Sequence, residues 1–534
     1  MNRRRGRAVA AAVLAAAVLA GCAPAAQNGA TVSLAVVPAP ASLVQTEAAP
    51  FRLTASTRVT GDADAAAAAS ALVRARTGLT LAAGGDGPAI ALRIERGGAA
   101  ESYRLQVDEA SVVVTGADAA GLFYGVQTLG QLIRPDGDAW IVPAAEIDDA
   151  PRFAYRGVML DVARHFHSVE TVKGYIDRAA GLKLNALHLH LSDDQGWRIQ
   201  LHSRPALTER ASATAVGGDE GGFYSKDDYR EIVAYAASRH MIVVPEIDMP
   251  GHTHAVGLAY PELVEEPVIS DHVRDTAREY GGDLPENGTP YDGMAVGFSS
   301  LKIHDEATYD FVSDVFGELA GMTPGPYLHL GGDEALGTPD EDFALFVSRA
   351  SQIIADLGKT PIAWHEAGSA AGLADSTIGQ YWGFVQPTEG MDEKARGFVR
   401  NGGQLILSPA DAIYLDMKYP TGPELGLTWA NGPTSVQRAY DWEPSAIVDG
   451  IDESDVLGVE APLWSETIRT AADLDTMAFP RIAAAAEAAW SPATGRSDLR
   501  TWESFRERVG ALGPLWTSLG IGFHPSGEIE WTTG

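Results

Sequence analysis

The second part of the chain alternates short apolar runs with helical stretches, and polar or aromatic residues follow each run. The runs are almost continuous in apolar residues, which is typical of strands buried on both faces of a parallel sheet. From Pro151 onward eight such runs occur, at 155–162, 186–191, 242–247, 327–330, 361–364, 377–382, 404–407 and 456–463. Eight strand–helix units predict an α/β fold, a (β/α)8 TIM barrel, with an open doubly wound sheet as the alternative.

Residues 31–150 have a different pattern, in which shorter segments alternate apolar and polar positions. Strands are predicted at 89–94, 103–107 and 111–114, and helices at 64–76 and 119–133. We therefore expect a small α+β domain ahead of the barrel. Its sequence gathers no group of acids, histidines or nucleophiles, so we assign it no chemistry.

The chain begins with a basic, arginine-rich segment and an apolar run at 8–20 that is too short to cross a bilayer as a stable helix. The run ends in Leu19-Ala20-Gly21-Cys22, which resembles the lipobox of bacterial lipoproteins. That resemblance implies a signal peptide at 1–21, a lipid on Cys22 and a tether at 22–30. An ordinary signal peptide with a bystander cysteine is the alternative. We expect an exported protein, anchored by lipid to the outer face of the cell membrane, periplasmic or on the cell surface.

Composition narrows the possible partners. Cys22 is the only cysteine, so the chain forms no internal disulfide and depends on a core that 534 residues with 46% apolar content can supply. A net charge of −31 argues against nucleic acid and against attraction to anionic lipids, so the lipid would be the only membrane anchor. We expect the barrel to occupy 151–515, followed by a C-terminal tail at 516–534.

The predicted strand ends are rich in acids and tryptophans, and catalytic groups of such barrels lie at these ends. In chain order they are Asp161, Arg164 and His165; Asp193, Asp194 and Trp197; Glu246, Asp248, His252 and His254; Asp333 and Glu334; Trp364 and Glu366; Tyr381 and Trp382; Tyr414, Asp416 and Trp429; and Trp464 and Glu466. Carboxylates bind hydroxyl groups and transfer protons, while indoles stack on the apolar faces of pyranose rings. The pattern predicts a sugar-binding site.

His188 and His190 are two residues apart on one predicted strand and therefore share a face. Such a pair suits a metal ion, which would indicate a metal-dependent hydrolase. However, both histidines lie inside an apolar run. We expect no metal.

Asp333 and Glu334 are adjacent, and neighbouring residues of a strand point in opposite directions. An acid and a nucleophile of a retaining glycosidase need carboxyl groups about 5–5.5 Å apart across the scissile bond. An irregular backbone at Gly331 and Gly332 would relax this constraint. A simpler assignment of roles is that one acid protonates the leaving oxygen while its neighbour holds a substrate group that attacks the anomeric carbon. This mechanism requires a 2-acetamido sugar.

Several segments together resemble glycoside hydrolase family 20, the β-N-acetylhexosaminidases. The central segment is His329-Leu330-Gly331-Gly332-Asp333-Glu334, and others in family order lie at 161–165, 188–198, 245–252, 414–418, 460–466 and 487–492. The resemblance runs from about residue 32 to 515, and the early α+β segment is similar to the small domain that precedes this family's barrel.

The resemblance implies roles for the matching positions. Glu334 is the expected acid/base, Asp333 the group that orients the acetamido N–H, and Tyr414 the donor to its carbonyl oxygen. The other expected substrate-binding residues are Arg164, Asp416 and Glu466 at the distal hydroxyls, Trp364, Trp382 and Trp464 at the acetamido pocket and the sugar face, His252 with Asp248 in support, and also Asp193 and Trp429. It implies β retention without metal or organic cofactor, and glycans or oligosaccharides ending in N-acetylhexosamine as substrates, such as chitin fragments, cell-wall or host glycans.

Two regions depart from the expected pattern. His365 stands between Trp364 and Glu366 where the family more usually has an aspartate, and the acidic loop at 262–297 matches no family segment. Three other functions remain open. They are a barrel glycosidase with Glu466 as nucleophile, a non-catalytic sugar-binding component of an importer, and an enzyme of this family that releases a disaccharide.

Overall fold

The computed structural model describes residues 34–82, 84 and 86–532. The predicted signal peptide, the tether and the lipidation site at Cys22 lie outside these residues. Among the residues described, none of the helices has both the length and the apolar character needed to cross a membrane.

The N-terminal domain is a layered α+β unit. Its six-stranded sheet has the spatial order Ser42–Gln45, Ala145–Asp149, Tyr103–Val107, Ser111–Gly116, Ala89–Ile94 and Arg58–Gly61, and a three-stranded sheet has the order Phe51–Leu53, Ala139–Val142 and Arg134–Asp136. The helices are Ala63–Thr77 and Ala119–Leu132. Each begins after an aspartate, Asp62 or Asp118, whose side chain accepts a backbone N–H of the first turn. The five elements predicted here from alternation and helical spacing are all present.

Eight parallel strands close into the predicted barrel, which excludes the open sheet. They are Tyr155–Asp161, Ala186–His190, Ile242–Glu246, Tyr327–His329, Thr360–Trp364, Ile378–Tyr381, Leu405–Leu407 and Val456–Ala461. Each coincides with one predicted run to within one or two residues at either end. Continuous apolar sequence marks these strands because the barrel interior covers one face and the helices cover the other.

Helices surround the barrel. The longer ones are Val169–Gly181, Lys226–Ala237, Asp271–Tyr280, Glu306–Met322, Asp340–Asp356, Met391–Arg400, Ala471–Ala478, Arg481–Trp490 and Trp502–Ser518, and the shorter ones are Ala206–Arg210, His254–Ala259, Ala410–Ile413 and Val436–Tyr440. Ser225 and Asp228 form the predicted capping box. The last long helix continues past residue 515, where the tail was predicted to begin. The chain after this helix folds back onto the protein, and Ile529 is buried.

A buried ion pair joins the two domains. Lys183, fully buried in the barrel domain, places its Nζ 3.0 Å from Asp149 Oδ2 and donates to Tyr103 Oη at 3.0 Å, both in the N-terminal domain. Trp490 Nε1 donates to the same Asp149 carboxylate at 3.0 Å. Burial lowers the pKa of Lys183. A fully buried ion pair therefore attaches the N-terminal domain, and breaking it would leave an unpaired buried charge, which is costly.

Candidate active site

The segment that carries Asp333 and Glu334 is not extended. The fourth barrel strand ends at His329, and Gly331, Gly332 and Glu334 have φ values of 74°, 96° and 45°. A Cβ at Gly331 would lie 1.8 Å from Asp248 Oδ1, so glycine is needed here both for the left-handed backbone and for the close approach.

This turn corrects the prediction from strand geometry that the two acids point in opposite directions. His252 Nε2 lies 3.8 Å from Asp333 Oδ2 and 3.6 Å from Glu334 Oε2, so both carboxylates approach one imidazole. The irregular backbone considered as the exception is the one that occurs. Because the two acids are adjacent and converge on one point, they form a pair on one side of the site.

Glu334 has the properties of a general acid. Burial raises the pKa of Glu334 to about 7, and the Asp333 carboxylate adds to the shift while His252 opposes it. A third of the side chain (33%) remains accessible, so a substrate oxygen can reach it. A carboxyl group with a pKa near neutrality can give and take a proton at the pH of most cells and surroundings.

His252 connects Glu334 to Asp193. Its Nδ1 donates to Asp193 Oδ1 at 3.1 Å. Burial lowers the pKa of His252, but the carboxylates of Asp193, Asp248 and Asp333 outweigh it and hold that pKa well above its ordinary value. A charged imidazole therefore faces the acid pair.

The Asp193 carboxylate lies among three cationic side chains. Arg164 Nη2 lies 2.9 Å away, His190 Nε2 2.8 Å and His252 Nδ1 3.1 Å. Asp193 is almost fully buried, so the structure gives it the position of a residue that orients Arg164 and His252. Asp248 accepts the Gly332 N–H at 3.0 Å and holds the turn before Asp333.

Polar atoms with free hydrogen-bonding capacity occur around Arg164. Among the described residues, Arg164 Nε has no hydrogen-bond partner, and neither has Asp416 Oδ2. The Arg164 guanidinium lies over the Trp464 ring, 4.9 Å from its centroid. Asp416 Oδ1 accepts the backbone N–H of Trp464 at 3.3 Å. Burial raises the pKa of Glu466, while the charge of Arg164 opposes the shift. These groups suit the hydroxyls of a sugar ring.

Aromatic side chains form an apolar cluster next to the acid pair. Trp364, Tyr414 and Trp464 share one cluster, with Trp382 packed against it. Burial raises the pKa of Tyr414 well above its ordinary value, and Asp333 and Asp416 add to this, so the phenol remains a donor. Trp429 is 45% exposed and its ring centroid is 5.7 Å from that of Tyr414, which places it at the rim.

His365 and Glu366 both hold Trp382. Glu366 Oε2 accepts the Trp382 Nε1–H at 3.0 Å, and His365 Nδ1 accepts the Trp382 backbone N–H at 3.4 Å. Burial lowers the pKa of His365 to about 3, so this imidazole is neutral and can accept. Burial, with help from Asp333, raises the pKa of Glu366 to about 8. Although His365 replaces the aspartate that the family more usually has, it still supports Trp382.

Some residues predicted at the mouth of the barrel are structural instead. Trp197 is fully buried and donates to the Ile199 carbonyl, while His254 contacts the Thr289 carbonyl at 2.8 Å and Asp194 accepts from Ser299. Tyr381 donates to the Phe384 carbonyl. The loop at 262–297, whose helix is Asp271–Tyr280, is fastened at this edge of the site through His254 and through Gln195, which donates to the Gly293 carbonyl.

The histidines considered as a metal pair are paired with acids. His188 Nδ1 and Nε2 lie 2.9 Å from Glu460 and 3.1 Å from Glu246, and His190 Nδ1 and Nε2 lie 2.5 Å from Glu246 and 2.8 Å from Asp193. His188, Glu246 and His329 come close enough together to hold a cation. Because all four ring nitrogens of His188 and His190 already face carboxylates, ion pairing accounts for them. The sequence contained a signal for this arrangement, since charged residues inside a buried strand require partners.

Comparisons with known proteins agree on one family. The model of glycosyl hydrolase family 20, catalytic domain, matches residues 153–341 and 336–493, and that of its domain 2 matches residues 33–150. A β-N-acetylhexosaminidase from Cellulomonas fimi is 40% identical over 519 residues, covering 93% of this chain and 97% of its own. A solved glycoside hydrolase family 20 β-N-acetylglucosaminidase is 76% identical with a TM-score of 0.86, covering 93% of this chain and all of its own. A mutant Streptomyces plicatus β-hexosaminidase in complex with product GlcNAc is 44% identical with a TM-score of 0.84, covering 93% of this chain and 98% of its own.

Proposed function

This chain belongs to glycosyl hydrolase family 20 and is an exo-acting β-N-acetylhexosaminidase, and from that premise we propose that it works by substrate-assisted catalysis with retention. The substrates are oligosaccharides or glycans with a terminal non-reducing N-acetyl-β-D-hexosamine. The observation that carries the mechanism is the convergence of Asp333 and Glu334 beside the aromatic cluster that includes Tyr414.

In the first step Glu334 donates its proton to the glycosidic oxygen. The acetamido carbonyl oxygen attacks the anomeric carbon as the bond to the leaving group breaks, which forms a cyclic oxazolinium ion. Asp333 accepts the acetamido N–H and balances the developing positive charge, while Tyr414 donates to the carbonyl oxygen. Donors and acceptors fixed before the reaction stabilise such charge more effectively than water does.

In the second step Glu334, now a carboxylate, removes a proton from water. The water oxygen attacks the anomeric carbon from the face that the leaving group vacated, and the bond to the acetamido oxygen breaks. Two displacements at the same carbon restore the β configuration. Arg164, Asp416 and Glu466 hold the distal hydroxyls, and Trp364, Trp382 and Trp464 enclose the acetamido group.

The acetamido group is therefore required for catalysis. We expect the enzyme to release p-nitrophenol from the N-acetyl-β-glucosaminide at least about 100-fold faster than from the plain β-glucoside, because the glucoside lacks the attacking oxygen. The measurement is kcat/KM for both substrates with the same enzyme preparation. Comparable rates would reject substrate assistance and favour Glu466 as an enzymic nucleophile, while inactivity on both would favour a sugar-binding protein.

We further propose that Cys22 carries a lipid that anchors the enzyme at the outer face of the membrane. The support is the lipobox-like segment at 19–22 and the position of the chain's only cysteine. In a bacterial host that processes lipoproteins, we expect the wild-type enzyme in the membrane fraction and the Cys22→Ser variant in the soluble exported fraction. Activity assays of the two fractions measure the partition, and an unchanged partition of the variant would reject lipid anchoring.

A further inference from the structure

An unbroken series of acids and imidazoles fills the barrel interior below the active site. In order, it consists of Glu460, His188, Glu246, His190, Asp193 and His252, and it reaches Glu334. Successive contacts measure 2.9, 3.1, 2.5, 2.8 and 3.1 Å, and the last, from His252 to Glu334, measures 3.6 Å. We call these six residues the buried column.

Negative and positive groups alternate along the column. Burial lowers the pKa of each of His188 and His190, but Glu460, Glu246 and Asp193 outweigh it and raise them to about 9 and about 10. Burial raises the pKa of Glu246, but His190, His329 and His188 outweigh it and hold that pKa well below its ordinary value. Alternation places each buried charge beside a group of opposite sign, and such pairing favours the tolerance of a buried ionic network.

Glu246 is the branch point of the column. Its Oε2 contacts His188 and His190, while its Oε1 accepts the Trp364 Nε1–H at 2.8 Å and lies 3.2 Å from His329 Nδ1. His329 Nδ1 also accepts the Gly331 N–H at 3.0 Å, at the start of the turn that leads to Glu334. One carboxylate therefore supports Trp364 and the chain of contacts to His252, and it lies beside the imidazole that accepts the Gly331 N–H.

We propose that Glu246 is a positioning residue of this enzyme, which fixes His190 and, through Asp193, holds His252 charged and correctly oriented against Glu334. The other titratable or charged groups that face this part of the column are Glu460, Asp193, Asp248, Arg164 and His329, and burial lowers the pKa of His329. Glu246 touches neither substrate nor reacting atoms, so it acts only through its neighbours. The inference rests on the proposed role of Glu334 as general acid.

The test compares two substrates that differ in their need for an acid. The leaving group of N,N′-diacetylchitobiose is a sugar oxygen, which needs a proton as it departs, whereas the leaving group of the 2,4-dinitrophenyl N-acetyl-β-glucosaminide is dinitrophenolate, which departs as a stable anion. For Glu246→Gln we expect kcat/KM to fall about 100-fold on chitobiose and no more than about 5-fold on the dinitrophenyl glycoside. Because kcat/KM includes steps only as far as bond cleavage, the later base-catalysed step does not enter.

Glu487→Gln is the matched control. Glu487 is also fully buried and paired with a cation, Arg508, at 2.7 Å, but it lies in the outer helix Arg481–Trp490. We expect this variant to keep the wild-type ratio of the two rates. His190→Gln breaks the link between Glu246 and Asp193 and decides the question if Glu246→Gln fails to fold, as judged by its thermal melt.

The ratio of the two rates separates the outcomes. A selective loss on chitobiose supports the proposal. An equal loss on both substrates, as a loosened Trp364 would cause, overturns it, and so do wild-type rates on both substrates. If the wild-type enzyme itself cleaves neither substrate, the proposed function fails instead, and the two failures remain distinct.

Discussion

Replacing Glu334 with alanine is expected to lower kcat/KM for N,N′-diacetylchitobiose by about 10⁴-fold, because no other group delivers a proton to the leaving oxygen. Glu334 is the acid of the pair whose pKa is raised to about 7, and its side chain is accessible to substrate. The 2,4-dinitrophenyl glycoside should lose only about 10-fold. Steady-state kinetics with both substrates measure the two losses.

Two controls make this prediction specific. Azide, which attacks without base assistance, should restore turnover of the dinitrophenyl glycoside and give a β-glycosyl azide. For the wild-type enzyme, kcat/KM should fall as the pH rises through about 7, because the acid form of Glu334 is lost there, and the alanine variant should lack that limb. If the alanine variant kept this decrease of kcat/KM at high pH, the general acid would be another residue.

Replacing Asp333 with asparagine is expected to lower kcat about 10³-fold on every substrate, whatever the leaving group. The loss is uniform because Asp333 acts on the acetamido group, whose attack all substrates require. The amide has no charge to balance the oxazolinium ion. Rates on chitobiose and on the dinitrophenyl glycoside, together with the affinity for a thiazoline analogue of the intermediate, provide the measurement.

The leaving-group pattern distinguishes the two acids. Tyr414→Phe, which removes only the donor to the acetamido oxygen, serves as the matched comparison, and we expect the same uniform pattern with a loss of about 100-fold. If Asp333→Asn instead impaired chitobiose alone, Asp333 would belong to the acid function and the assignment of the pair would be reversed.

The barrel was predictable because its strands are short, apolar and buried on both faces. The site was predictable in outline for a related reason, since the ends of parallel strands meet at one mouth. Thus Arg164 and Trp464, far apart in sequence, lie against each other. Position at a strand end does not determine direction, however, and Trp197 turns into the core, where its apolar ring is fully buried.

Two features of the site could not be predicted from sequence periodicity. One depends on the local backbone conformation, and the other on partners that come from other strands. The positive φ values at Gly331, Gly332 and Glu334 bring adjacent acids to one side, whereas a regular strand would have separated them. His188 and His190 were considered as metal ligands because their partners, Glu246 and Glu460, come from other strands. Spacing along one strand reveals which residues share a face but not what faces them.

The contact of Lys183 with Asp149 makes the barrel a dependent part of the protein. A shortened chain that began at residue 151 would keep Lys183 and Trp490 but lose the carboxylate that both of them bind and the Tyr103 hydroxyl. The Lys183 ammonium group, which lies 4.8 Å from the Trp490 ring centroid, would then lie at the surface from which the N-terminal domain was removed. Residues 34–534 form one compact unit, and we therefore expect a chain that begins at residue 151 to be destabilised and an engineered version of this enzyme to need both domains.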